Sequence, residues 1–146
     1  MKVKLLVILV IGLIFFNMQN TNAQDNPKPK VENQADSDKL VVVWTSGDKE
    51  VAVKMVYMYT FNAKKNGWWK DITFVIWGPS SKLLSEDADL QDYLNKMKKE
   101  GIVVEACKAC ADMYGVSDKL SELGIDVKYM GTALTDYIKK EHVITF

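Results

Sequence analysis

The sequence predicts an α/β protein with an open, mainly parallel five-stranded sheet and helices on both faces. Three observations lead there. Apolar, β-rich runs recur at residues 39–46, 71–78, 102–106, 125–131 and 142–146. Segments of helical length or period separate them. The first run, "KLVVVWTS", is continuously apolar rather than alternating, the pattern of a strand buried on both faces. Regular alternation of strand and helix implies parallel pairing through crossovers.

Each element has a local reason. After the first strand, Ser46, Gly47 and Asp48 provide a turn and a helix cap. The helix "KEVAVKMVYMYTFNAKK" follows and stops at Asn66-Gly67. Val51, Ala52, Met55, Val56, Tyr59 and Phe61 exceed a narrow stripe, so burial on more than one side is expected. "DITFVIWG" is the second strand, and "SSKLLSEDA" is expected to be a loop with a short apolar insertion. In "DLQDYLNKMKKEG", Leu90, Tyr93, Leu94 and Met97 lie at i, i+3, i+4 and i+7, with Asp89 as cap and Gly101 as stop. "IVVEA" is the third strand. "KACADMY" is a short helix ended by Gly115, and "SDKLSELG" another with Ser117 as cap. "IDVKYMG", "TALTDYIKKE" and "HVITF" give strand, helix and strand. Ligands of open parallel sheets gather at the carboxyl ends of strands. Residues 45–48, 78–82 and 106–110 should therefore meet.

The amino end reads differently. Lys2 and Lys4 precede the apolar run Leu5 to Phe16, and small or polar residues follow to Ala23. This is the layout of a secretory signal peptide spanning residues 1–23. The run is shorter than the roughly 20 residues of a bilayer span, so no stable membrane insertion is expected after cleavage. Residues 24–38 are polar, include Pro27 and Pro29, and read as a flexible linker. The folded domain is expected over 39–146, in an exported, periplasmic or secreted protein.

Charge narrows the function. The chain has 19 basic and 19 acidic residues; losing Lys2 and Lys4 leaves 17 against 19, a net charge of −2. Every basic residue is lysine, and arginine is the usual reader of phosphates and guanine edges. Nucleic acid is therefore not an expected partner.

The chemistry concentrates in "VVEACKACADMYGV". It holds the only two cysteines, Cys107 and Cys110. Cys107 stands where a strand ends and a helix begins, where unpaired N–H groups and the helix dipole favour a thiolate. Cys110 lies about one turn further on and is able to face the same side. Four readings stay open: a thiol that carries sulfur as a persulfide, an electron-exchanging dithiol pair, a structural disulfide, and half of a metal site. A bridge this short adds little loop-closure stabilisation, so the structural disulfide ranks below the chemistry. Two cysteines and His142 are too few for a closed zinc site, and no metal or cofactor is expected.

These residues carry a resemblance. "VVVWTSGD", "FVIWGPSSKLL" and "VVEACKACADMYGV" resemble the DsrE/DsrF/TusD-like, or YchN-like, sulfur-relay family over residues 39–146. The third piece is the most specific, with its cysteine eight residues before Gly115-Val116. "LGIDVKYMGTALTDYI" looks like the family's closing strand and helix. The resemblance implies an open three-layer α/β/α sandwich that assembles as trimers or hexamers. It implies that Cys107 accepts sulfur as a persulfide and passes it to a partner protein, with Cys110 matching members that have a second cysteine. A non-catalytic binding or assembly module and a thiol–disulfide oxidoreductase using both cysteines are the competing functions.

Other residues have plainer readings beside a functional one. Trp68 and Trp69 fit a partner surface or packing over the sheet edge. Asp48 and Ser46 fit a ligand pocket or a helix cap. "GPSSK" lacks the full phosphate-loop pattern. His142 fits a catalytic base or a packed histidine. Glu105 is placed to tune Cys107 if it faces the same side of the sheet.

Overall fold

A computed structural model describes residues 38–146. The expected signal peptide and almost all of the linker lie outside the described residues. The strands are β1 (Lys39–Trp44), β2 (Asp71–Ile76), β3 (Val103–Cys107), β4 (Asp126–Lys128) and β5 (His142–Thr145). The helices are α1 (Lys49–Val51), α2 (Met58–Lys65), α3 (Pro79–Glu86), α4 (Ala88–Lys99), α5 (Lys108–Tyr114), α6 (Ser117–Glu122) and α7 (Met130–Lys140). A π-helical stretch, Ala52–Tyr57, joins α1 to α2.

All four strand pairings are parallel, in the order β4-β3-β2-β1-β5. That order decides the layers. From β1 to β4 the chain steps in one direction, so right-handed crossovers place their helices on one face. The step from β4 to β5 reverses direction and carries α7 to the other face. Two cores result. The first joins Leu40, Val42, Trp44, Ile72, Phe74, Ile76, Val104 and Ala106 to the crossover helices. The second is small: Val41, Val43, Val75, Cys107 and Met130, with Ala133, Leu134 and Tyr137 of α7 against them.

The first core is anchored by aromatic rings. Tyr57 meets Trp44 edge-on at 5.3 Å and Phe74 at 5.4 Å, and Tyr93 of α4 lies 5.2 Å from Tyr57. Such pairs add about 0.5–1.5 kcal/mol beyond area burial.

Several expectations need correction. The segment "SSKLLSEDA" is not a loop; α3 starts at Pro79 and buries Ser80, Ser81, Leu84 and Ser85. Serines look like loop residues, yet Ser80 donates to the Trp44 carbonyl at 2.6 Å and Ser85 to the Lys82 carbonyl at 2.8 Å. The helical segment after β1 is buried on one side only. Ala52, Val56 and Tyr57 face inward, while Val53, Met55 and Met58 are exposed, because only one crossover layer covers this face of the sheet. Asp87, in an extended conformation, caps α4 by accepting from Leu90 N–H at 3.1 Å; Asp89 instead holds Lys49 at 2.9 Å. Val116, not Ser117, precedes α6, and the Ser117 hydroxyl donates to Asp112 at 2.6 Å. The fourth strand is shorter than expected because α7 already begins at Met130.

Truncating the first core tests this packing. Leu94→Ala should lower unfolding free energy by about 2–5 kcal/mol. Val53→Ala, on the exposed side, should change it by less than about 0.5 kcal/mol. Urea denaturation of both variants checks the pair, and equal losses would contradict the one-sided burial.

Candidate functional site

The three expected loops meet at the carboxyl edge of the sheet. The β1–α1 and β2–α3 turns touch: a Cβ on Gly47 would stand 3.1 Å from the Pro79 Cβ. Trp77 N–H donates to the Trp44 carbonyl at 3.0 Å and to the Ser80 hydroxyl at 3.1 Å, tying the ends of β1 and β2 together. Gly78 has φ +71°, a left-handed conformation that glycine adopts without steric penalty. Trp77 and Cys110 pack against the same second core, which brings the third loop to the second.

Cys107 ends β3 and occupies the cap position of α5, and its side chain makes no capping hydrogen bond. It is 4% exposed and packs in the second core, under α7. Cys110 sits in the first turn of α5, partly exposed, and packs against the second core that holds Cys107. Both cysteines are free thiols. Burial, and then the Cys107 sulfur, push the Cys110 thiol above the usual cysteine range; the Gly78 N–H pulls the other way by favouring the thiolate.

Glu105 faces the same side of the sheet as Cys107, two residues along β3. It is 5% exposed, and its carboxylate is fully engaged. Lys128 donates to Oε1 at 2.7 Å; the Tyr137 hydroxyl lies 3.1 Å from Oε1 and 3.0 Å from Oε2. Lys128 also binds Asp126 at 2.7 Å. The parallel register explains the cluster: Glu105 pairs with Asp126, and Cys107 with Lys128. A buried carboxylate needs such partners, since an unpaired one would be strongly disfavoured. Burial pulls Lys128 down, but its bonds to Asp126 and Glu105 outweigh this and hold it above the usual lysine range. Burial and the Glu105 bond raise Tyr137.

Other sequence candidates lie elsewhere or have structural work. Asp48 caps α1 by accepting from Glu50 and Val51 N–H at 2.7 and 3.1 Å, and Ser46 accepts from Asp48 N–H. His142 pairs with Leu40 at the opposite end of β1 from the cysteines and packs 5.0 Å from Trp69. Trp69 donates to the Tyr59 hydroxyl at 3.3 Å, while Trp68 is exposed. No cluster of three or more His, Cys, Asp or Glu side chains suited to a metal occurs among the described residues. Lys128, Tyr137 and Met130 were not singled out from sequence. Period-2 alternation in "IDVKYMG" puts Asp126 and Lys128 on one face, but only the register sets them beside Glu105 and Cys107.

A model of the DsrE/DsrF-like family matches residues 38–146. Among solved structures, the conserved protein of unknown function BT1422 from Bacteroides thetaiotaomicron is 40% identical, with 75% of this chain and 95% of that chain covered and a TM-score of 0.72. The YchN protein from E. coli is 16% identical, with coverage of 74% and 98% and a TM-score of 0.59, a likeness of fold alone. No curated protein matches the chain.

The cluster around Glu105 makes stability depend on alkaline pH. Free lysine and tyrosine titrate near about pH 10. Lys128 and Tyr137 are both raised on folding, so their contribution is complete below that pH and is lost as pH rises through the folded values. Tyr57, raised by burial and by Asp87, adds to the same loss. The doubly substituted Lys128→Met/Tyr137→Phe chain should therefore lose less stability than wild type between about pH 8 and about pH 11. Urea midpoints at both pH values check this; an equal loss in the two proteins would count against the network.

Proposed function

Because the chain belongs to the DsrE/DsrF-like family, a group associated with sulfur relay, we propose that it handles sulfur, with Cys107 carrying a sulfur atom as a persulfide. The observation that carries this reading is the place of Cys107: the carboxyl end of a central parallel strand, at the start of α5, with a second cysteine packed against the same core.

The proposed step is an exchange with no net oxidation. The Cys107 thiolate attacks the terminal sulfur of a donor persulfide. A bond forms between that sulfur and Cys107 Sγ, the donor's sulfur–sulfur bond breaks, and the donor leaves as a thiolate that takes up a proton. Delivery is the same step in reverse, with an acceptor thiol as nucleophile. Donor and acceptor are partner proteins or small thiols. The apolar environment of Val41, Val43, Val75 and Met130 supports the role by limiting water at the sulfur.

The packing of Cys110 one turn from Cys107 favours a second reading, a thiol–disulfide oxidoreductase, which needs both sulfurs. A binding or assembly module needs neither. The surroundings belong to the proposal too: export directed by residues 1–23 and a homo-oligomer. Val53, Met55 and Met58 lie exposed within six residues of one helical run, which suits a contact between copies of the chain.

Two experiments test these readings. Intact mass after exposure to a low-molecular-weight persulfide should show one added sulfur in Cys110→Ser under non-reducing conditions, removed by reductant and absent in Cys107→Ser/Cys110→Ser. An unmodified thiol in Cys110→Ser would overturn the carrier role. In solution, light scattering should give an oligomeric mass that Met55→Asp/Met58→Asp lowers; a monomeric wild type would overturn the assembly.

A further inference from the structure

Resting on the persulfide reading of Cys107, we infer that Cys110 is a resolving thiol, which attacks the loaded Cys107, releases the carried sulfur as sulfide and leaves a Cys107–Cys110 disulfide.

The backbone is already suited to that bond. The separation of the two Cα atoms depends on the dihedral angles of Lys108 and Ala109 alone, and both are helical residues of α5. Helical geometry then sets it at roughly 5 Å, inside the range that disulfides occupy. A helical Cβ tilts toward the amino end, so the Cys110 sulfur leans back toward Cys107. In the reduced chain Cys110 packs against the second core, to which Cys107 belongs. No backbone movement is needed to join them.

Exposure gives the pair a direction. Cys107 is 4% exposed and Cys110 more open, so the group beside a persulfide on Cys107 is Cys110. A held nucleophile reacts as if present at very high concentration, so Cys110 answers whenever no acceptor thiol has taken the sulfur first. The chain has no other cysteine to compete.

The step balances. Cys110 Sγ attacks Cys107 Sγ, and a bond forms between them. The bond from Cys107 Sγ to the terminal sulfur breaks, and that sulfur leaves with the electron pair as hydrosulfide. The proton of the Cys110 thiol goes to solvent. The terminal sulfur is reduced by two electrons, and the persulfide and thiol become one disulfide. An external dithiol then reduces the disulfide and is itself oxidised. Attack on the inner sulfur is favoured because hydrosulfide is a more acidic, faster leaving group than an alkyl thiol. Attack on the terminal sulfur would only move the sulfur to Cys110.

The test uses the full chain as wild type, Cys110→Ser and Cys110→Ala. Each reduced protein is treated with inorganic polysulfide and desalted, and intact mass and released sulfide are followed. Wild type should release sulfide stoichiometric with the sulfur it had taken up and settle at a mass lighter than the reduced chain by a pair of hydrogens. Both variants should keep the added sulfur and release at least tenfold less sulfide. Equal release from wild type and variants, or a wild type that holds its sulfur, overturns the resolving role and leaves the carrier role standing. Absence of uptake in all three proteins overturns the carrier reading and this inference with it.

Discussion

The carboxylate of Glu105 holds together the face of the sheet on which the cysteines lie. Among the described residues, reversal of chain direction after β4 leaves that face with one helix, α7, where the other has six and the π-helical stretch. A single helix buries little apolar surface, and the second core is correspondingly small. Glu105 compensates by binding α7 through Tyr137 and edge strand β4 through Lys128. Breaking such a network from one side is costly, because the remaining buried partners lose their hydrogen bonds. Cys107 stands two residues along the same strand, so the packing that covers its sulfur depends on the same carboxylate.

The strand–helix alternation, the parallel sheet and the place of Cys107 were legible in the sequence because each rests on local pattern. "KLVVVW" is continuously apolar after its lysine and became a central strand buried on both faces, with "DITFVI" paired beside it. Segments whose character is set by tertiary contact were not legible. Helix α3 is rich in serine and begins with proline, yet the Ser80 and Ser85 hydroxyls bond backbone carbonyls and Leu84 enters the core. The π-helical stretch fits Tyr57 between Trp44, Phe74 and Tyr93, a demand made by rings from three other segments. In α4, Asp87 and Asp89 are equally good caps by residue type, and the extended backbone at Asp87 decides between them.

The same division runs through the site. Two cysteines one turn apart at a strand–helix junction are visible as a spacing, and their nearness follows from it. Glu105 was visible as a neighbour of uncertain facing. Its partners were not, because Lys128 and Tyr137 reach it only through the β3–β4 register and the rotation of α7. Nor does the spacing reveal that Cys107 is the covered sulfur and Cys110 the open one. The roles proposed for the two thiols, carrier and resolving group, rest on that difference.

The most direct test of the central claim is a high-resolution crystal structure of the Cys110→Ser chain after polysulfide treatment. The account predicts one additional sulfur bonded to Cys107 Sγ, at the end of β3 and under α7, with the Glu105, Lys128 and Tyr137 contacts intact. A Cys107 that remains a bare thiol in such crystals, while the protein keeps the disposition of strands and helices described above, would contradict it.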